Sequence, residues 1–142
     1  MFVINDMELL ARLGKHNILS GILSRHSISV SSIKLNEYGL MLKKQIQVHT
    51  GLSIGHTDDG FDNWIVGKRM SASLGDLSSL FLAKTQDMEI VFSDEDMHLE
   101  AIAKAGKVIS LNFDEFIRRT VNDQRMVQIY HLIKAACPAG KT

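Results

Sequence analysis

Two short runs, MEIVF (88–92) and KVISL (107–111), are rich in β-branched residues and lack the polar alternation of a half-exposed strand. Runs of this kind suit strands buried on both faces, as in a parallel sheet covered by helices. Between them lies DMHLEAIAKAG, a helical pattern with Gly106 placed to end it. Two earlier runs, FVI (2–4) and ISV (28–30), continue the alternation. Helical spacing fills MELLARLG, SSIKLNEYGLMLKKQ and LGDLSSLFLAKTQ, then NFDEFIRRTV and MVQIYHLIKAA, where apolar residues recur at 126, 129, 130 and 133. Strands alternating with helices predict an α/β fold, a three-layer α/β/α sandwich with a central, mostly parallel sheet. Residues 49–73 carry the weakest pattern and read as loop with a short helix.

A chain of 142 residues, 45% of them hydrophobic, suits one domain over residues 1–135, with 136–142 as a flexible tail. Sixteen basic and sixteen acidic residues cancel, so the net charge encodes no general attraction to nucleic acid or membrane. No apolar run approaches the length that crosses a bilayer. The opening MFVIND lacks the marks of a signal peptide, and a lone Cys137 suits a reducing compartment. The expected location is the cytoplasm.

In an open α/β sheet, ligands collect at the carboxyl ends of the strands. Asp6 falls just past the first run and Asp94 just past the third. Capping competes for these acids: Asp6 suits a helix N-cap, and Ser73-x-x-Asp76 and Ser93-x-x-Asp96 are capping boxes. Capping explains Asp76 about as well as a site does, and Asp96 better. Glu37 is different. In a helix beginning near Ser31 it shares a face with Ile33 and Leu40, where a carboxylate is costly without a partner or a metal. Such oxygen ligands suit Mg²⁺ or Mn²⁺.

The order and setting of these acids resemble the PIN-domain nucleases. FVINDMELL supplies Asp6 after a first strand, ISVSSIKLNEY supplies Glu37, LGDLSSLFLAK supplies Asp76 at a helix start, and IVFSDED supplies Asp94. The resemblance runs from residue 2 to about residue 117, ending with AIAKAGKVISLNFDEFI. It implies a PIN-like fold in which Asp6, Glu37, Asp76 and Asp94 are catalytic. Asp6, Asp76 and Asp94 would bind Mg²⁺ or Mn²⁺, with Glu37 and Asp96 as further candidate ligands. The activity implied is metal-dependent endoribonuclease cleavage of RNA, with metal-activated water attacking the phosphodiester. Small stand-alone members resemble toxins of the VapC type, so the implied partners are an RNA substrate and an antitoxin protein. Met7 and Glu8 stand where the family carries a small hydroxyl or Asn that helps hold the site. The alternative is therefore a PIN-fold binding module with impaired or lost nuclease activity.

Other features carry less. CPAGKT lacks the earlier glycine of a phosphate loop, and HTDDGFDN lacks calcium-loop spacing and reads as a polar turn. The six histidines form no i, i+4 pair on a clear helix, which argues against zinc. Met88, Met97 and Met126 read as core filler, and Trp64 as a packed loop residue or a base-stacking surface. Tyr130 and Ile133 could pack on the domain or form a homodimer face. A nucleotide-binding or receiver-like domain would need a Gly-rich first loop or a switch lysine, and neither is evident.

Overall fold

The computed structural model describes residues 1–68, 72–92 and 97–136. In chain order the elements are β1 (Phe2–Ile4), α1 (Met7–Lys15), α2 (Ile18–Leu23), β2 (Ile28–Ser31), α3 (Ser32–Leu35), α4 (Leu40–Gln47) and β3 (Leu52–Gly55). There follow α5 (Gly60–Trp64), α6 (Leu74–Thr85), β4 (Glu89–Phe92), α7 (Met97–Ala105), β5 (Ser110–Asn112), α8 (Phe113–Thr120) and α9 (Gln124–Ala136). The strands form one sheet in the order β3-β2-β1-β4-β5, and every pairing is parallel. The mostly parallel sheet expected from the sequence is wholly parallel among the described residues.

The period of two along each strand divides the core between two faces. Phe2 and Ile4 of β1, Ile28 and Val30 of β2 and Val91 of β4 turn to one face. There they meet Leu10 and Leu13 of α1, Phe116 of α8 and Tyr130 of α9. Val3, Ile90 and Phe92 turn to the other face and pack with Leu80 and Leu82 of α6 and Leu99 of α7. Burying one side chain of this size is worth about 1.5–3 kcal/mol. The unalternating runs in the sequence therefore mark strands with apolar layers above and below.

Five expectations need correction or completion. Residues 52–55, expected to lie in a loop, form edge strand β3, paired with β2 from Ile28↔Leu52 to Ser31↔Gly55. Its side chains are half-buried or exposed, so the segment lacks an apolar signature; its backbone pairing with β2 makes it a strand. The expected helix SSIKLNEYGLMLKKQ is broken into α3 and α4 at Asn36–Gly39, and Gly39 becomes the N-cap of α4. Ala136, expected in the tail, closes α9, and residues 137–142 lie outside the described residues. Tyr130 and Ile133 are buried in the chain's own core and offer no dimer face. Trp64 packs with Phe61 and Phe81, so its ring belongs to a small aromatic cluster.

Helices α8 and α9 are clasped through Asp114, which accepts from the Tyr130 hydroxyl at 2.7 Å and lies 2.9 Å from Lys134 Nζ. Desolvation alone would push the Asp114 carboxyl up, but the hydrogen bonds from Tyr130 and Lys134 and the lysine charge hold it below the ordinary value of 3.8. A carboxyl depressed in the folded state contributes stability above its unfolded value and loses it as the pH falls through the folded value. The carboxylate is 43% exposed, which limits the size of the effect. Asp114→Asn is expected to cost about 1 kcal/mol or less at neutral pH. The deficit should shrink and then vanish as the pH falls through the depressed Asp114 carboxyl, in urea unfolding curves measured across acid pH.

Candidate functional site

Strand β1 continues to β2 and β3 on one side, whereas β4 and β5 lie on its other side. The boundary between β1 and β4 is therefore the topological switch point, where open parallel sheets place ligand crevices at their carboxyl ends. Asn5 and Asp6 leave β1 there. The Asn5 backbone N–H donates to the Val91 carbonyl at 2.9 Å, which carries the β1–β4 pairing to the edge itself.

Asp6 is the N-cap of α1 and accepts from the Leu9 amide at 3.1 Å. Burial pushes its carboxyl up, the Leu9 hydrogen bond opposes this, and the charges of Glu8 and Lys34 act in opposite senses. The first acid is thus a cap and a member of the edge cluster at once. Met7, one residue on, is fully buried in the core beneath α1.

Asp76 enters from α6. The Ser73 hydroxyl accepts from the Asp76 amide at 3.1 Å, so the serine half of the expected capping box is present. The Asp76 carboxylate turns away from that box. Its Oδ1 accepts from Asn5 Nδ2 at 2.9 Å and from Lys34 Nζ at 2.6 Å.

Glu37 lies just past the end of α3, in the turn before α4, and does not occupy the helix face expected for it. Its Oε2 accepts from the Gly75 amide at 2.9 Å, and its Oε1 lies 3.3 Å from Lys34 Nζ. A side chain at position 75 would overlap the Glu37 carboxylate, which explains why glycine precedes Asp76 here.

Two residues that the sequence did not single out organise this edge. Lys34 bridges Asp76 and Glu37 with a side chain only 12% exposed. Burial alone would weaken its ammonium, but Asp76, by hydrogen bond and charge, with Tyr38 and Glu37, holds its pKa above the ordinary lysine range. Asn5 is 6% exposed and holds Asp76 from the β1 side, while its Oδ1 has no hydrogen-bond partner among the described residues. The site-holding amide thus comes one residue before the first acid. The signal for Lys34 was its spacing of three residues from Glu37, which puts the two within reach. Tyr38 completes the rim: burial raises its hydroxyl pKa, Lys34 lowers it, and Asp6, Glu37 and Glu8 raise it further.

Asp6, Glu37 and Asp76 are therefore brought to one edge. Asp94 and Asp96, with the capping box at Ser93, lie outside the described residues. Among the described residues, no group of three or more His, Cys, Asp or Glu side chains is spaced to hold a metal ion. The carboxylates are arranged around an ammonium. The donor types nevertheless suit a hard divalent cation: carboxylate oxygens of Asp76 and Glu37 flank a point that already accepts positive charge, and the buried Asn5 beside them has an amide oxygen without a partner among the described residues. The sequence matches no protein-family model and no curated protein.

Two outcomes test this geometry. Alanine in a helix is normally favoured over glycine by about 0.5–1 kcal/mol. Gly75→Ala should nonetheless destabilise by about 1 kcal/mol, because it expels the Glu37 carboxylate from its amide and its lysine. In a Glu37→Ala background the same substitution should be neutral or stabilising, a sign change visible in a double-mutant cycle. For Asp6, a raised carboxyl pKa means the ionised form costs stability above the folded value, a cost relieved as the pH falls. Asparagine keeps the capping acceptor, so Asp6→Asn should melt at or slightly above the parent at neutral pH and with it in acid.

Proposed function

We propose that the protein is a divalent-metal-dependent endoribonuclease of the PIN type, acting as the toxin of a toxin–antitoxin pair. The observation that carries this reading is the bridging of Glu37 and Asp76 by Lys34 beside the switch point of a parallel sheet, with the Asp6 carboxyl near enough to feel the same charge. Its site residues are Asp6, Glu37, Asp76 and Asp94, with Asp96 as a further candidate ligand. When bound, Mg²⁺ or Mn²⁺ would lower the pKa of a coordinated water and shield charge on the phosphodiester. The chain supplies the rest. Asp6 is held on the first turn of α1, Asp76 is positioned by Asn5, and Glu37 is positioned by the Gly75 amide. Asp6 and Asp76 thus sit at the starts of packed helices and Glu37 is tied to one of them through the Gly75 amide, which limits the reorganisation needed on binding.

The proposed partners are RNA and an antitoxin whose basic side chains would meet the same carboxylates. The proposed location is the cytoplasm. No helix of the described residues is long and apolar enough to cross a membrane. A second reading, a PIN-fold binding module with impaired nuclease activity, draws on the Lys34 ion pairs, in which one ammonium already engages two of the carboxylates.

The test is cleavage of stem-loop RNA with exposed loops by the purified chain in Mn²⁺ or Mg²⁺. Cutting should stop in EDTA and fall at least about a hundredfold in Asp6→Ala and Asp76→Ala, with cooperative melting retained. RNA bound but uncut by the parent under every metal condition would favour the binding module.

A further inference from the structure

We infer that Lys34 is a built-in counter-cation of the carboxylate pocket, which a divalent ion must displace before the site can act; this rests on the hydrolase reading above. Lys34 Nζ lies 2.6 Å from Asp76 Oδ1 and 3.3 Å from Glu37 Oε1, so it occupies the position between these two carboxylates. The same Asp76 oxygen also takes the Asn5 amide at 2.9 Å. A metal ligated through that oxygen competes with both donors, and one ligated through Asp76 Oδ2 still meets the ammonium held between Asp76 and Glu37 as a like charge. Asn5 is the harder to move, because it is 94% buried by its 6% exposure and its backbone is paired to β4. Lys34 reaches the pocket from the four-residue helix α3 on a long, unbranched stem, so it is the donor more readily displaced.

Charge gives the same answer. An ammonium that is mostly buried persists only when paired, and carboxylates held close together persist only with a cation between them. With no metal, each of these groups resolves the other's cost. With metal, the cation replaces the lysine, and the ammonium needs a new place. The Tyr38 ring offers one, its centroid 5.7 Å from Nζ in the present position. A cation over a tyrosine face remains favourable when it leaves a carboxylate. The pocket thus has two occupants of the same sign for one position, and its metal affinity is set by their competition.

The experiment is calorimetric titration of Mn²⁺ and Mg²⁺ into the parent, Lys34→Gln, Lys34→Met and Lys34→Arg. Removing the competing charge should tighten Mn²⁺ binding by about tenfold or more in the Gln and Met variants, while Arg should not tighten it. The Gln and Met variants should also melt below the parent in EDTA and recover when Mn²⁺ is added. In the parent, saturating Mg²⁺ should move the Lys34 ¹³Cε resonance, a readout that survives if the variants fail to fold. Gln and Met variants that bind Mn²⁺ no tighter than a metal-binding parent would overturn the counter-cation and leave the hydrolase reading standing. A Lys34 resonance unmoved by bound Mg²⁺ would do the same. If neither parent nor variants bind either ion, both readings fall together.

Discussion

A three-residue strand in the middle of the sheet sets the terms for everything else. Phe2, Val3 and Ile4 are hydrogen-bonded to β2 on one side and β4 on the other, and apolar side chains cover both faces. Such a strand has no route to water, so it must be wholly apolar and its first polar residues must fall past its end. Those residues are Asn5 and Asp6. The central position of β1 also makes its carboxyl end the switch point, so the burial that holds the sheet together delivers an amide and a carboxylate to the crevice.

The crevice balances charge locally. Asp76 comes from α6 and Glu37 from the turn after α3, and their approach is tolerated because Lys34 stands between them. Gly75 permits that approach sterically and then donates its amide to Glu37, so one glycine serves the backbone of α6 and the geometry of the pocket. Beneath the pocket the Ser31 and Ser78 hydroxyls are hydrogen-bonded to each other at 2.5 Å, joining the end of β2 to α6. Polar contacts at this edge are thus chained from β2 through α6 to β1. A change in what neutralises Asp76 would be felt by all three elements.

Particular residues show what could be read in advance. The parallel sheet was legible because strands buried on both faces need continuous apolar runs, and few other arrangements do. Asp6 and Asp76 were legible because each directly follows a strand or opens a helix, where local sequence dictates geometry. The edge strand β3 was not legible, because LSIG carries no burial pattern and is strand by virtue of its neighbour β2. The turn at Asn36–Gly39 was misread as helix, since apolar spacing on either side is compatible with one continuous face.

The sequence by itself determined the α/β/α layering, the starts of α1 and α6 and the carboxylates available at the strand ends, because these follow from short-range periodicity and capping. What only the tertiary structure decided is who meets whom there. Lys34 and Asp76 are 42 residues apart and Asn5 and Asp76 are 71 apart, yet they share one carboxylate oxygen. No local pattern encodes such a meeting. It arises because β1, α3 and α6 end at the same edge, and because a buried charge must find whichever opposite charge the fold has carried within reach.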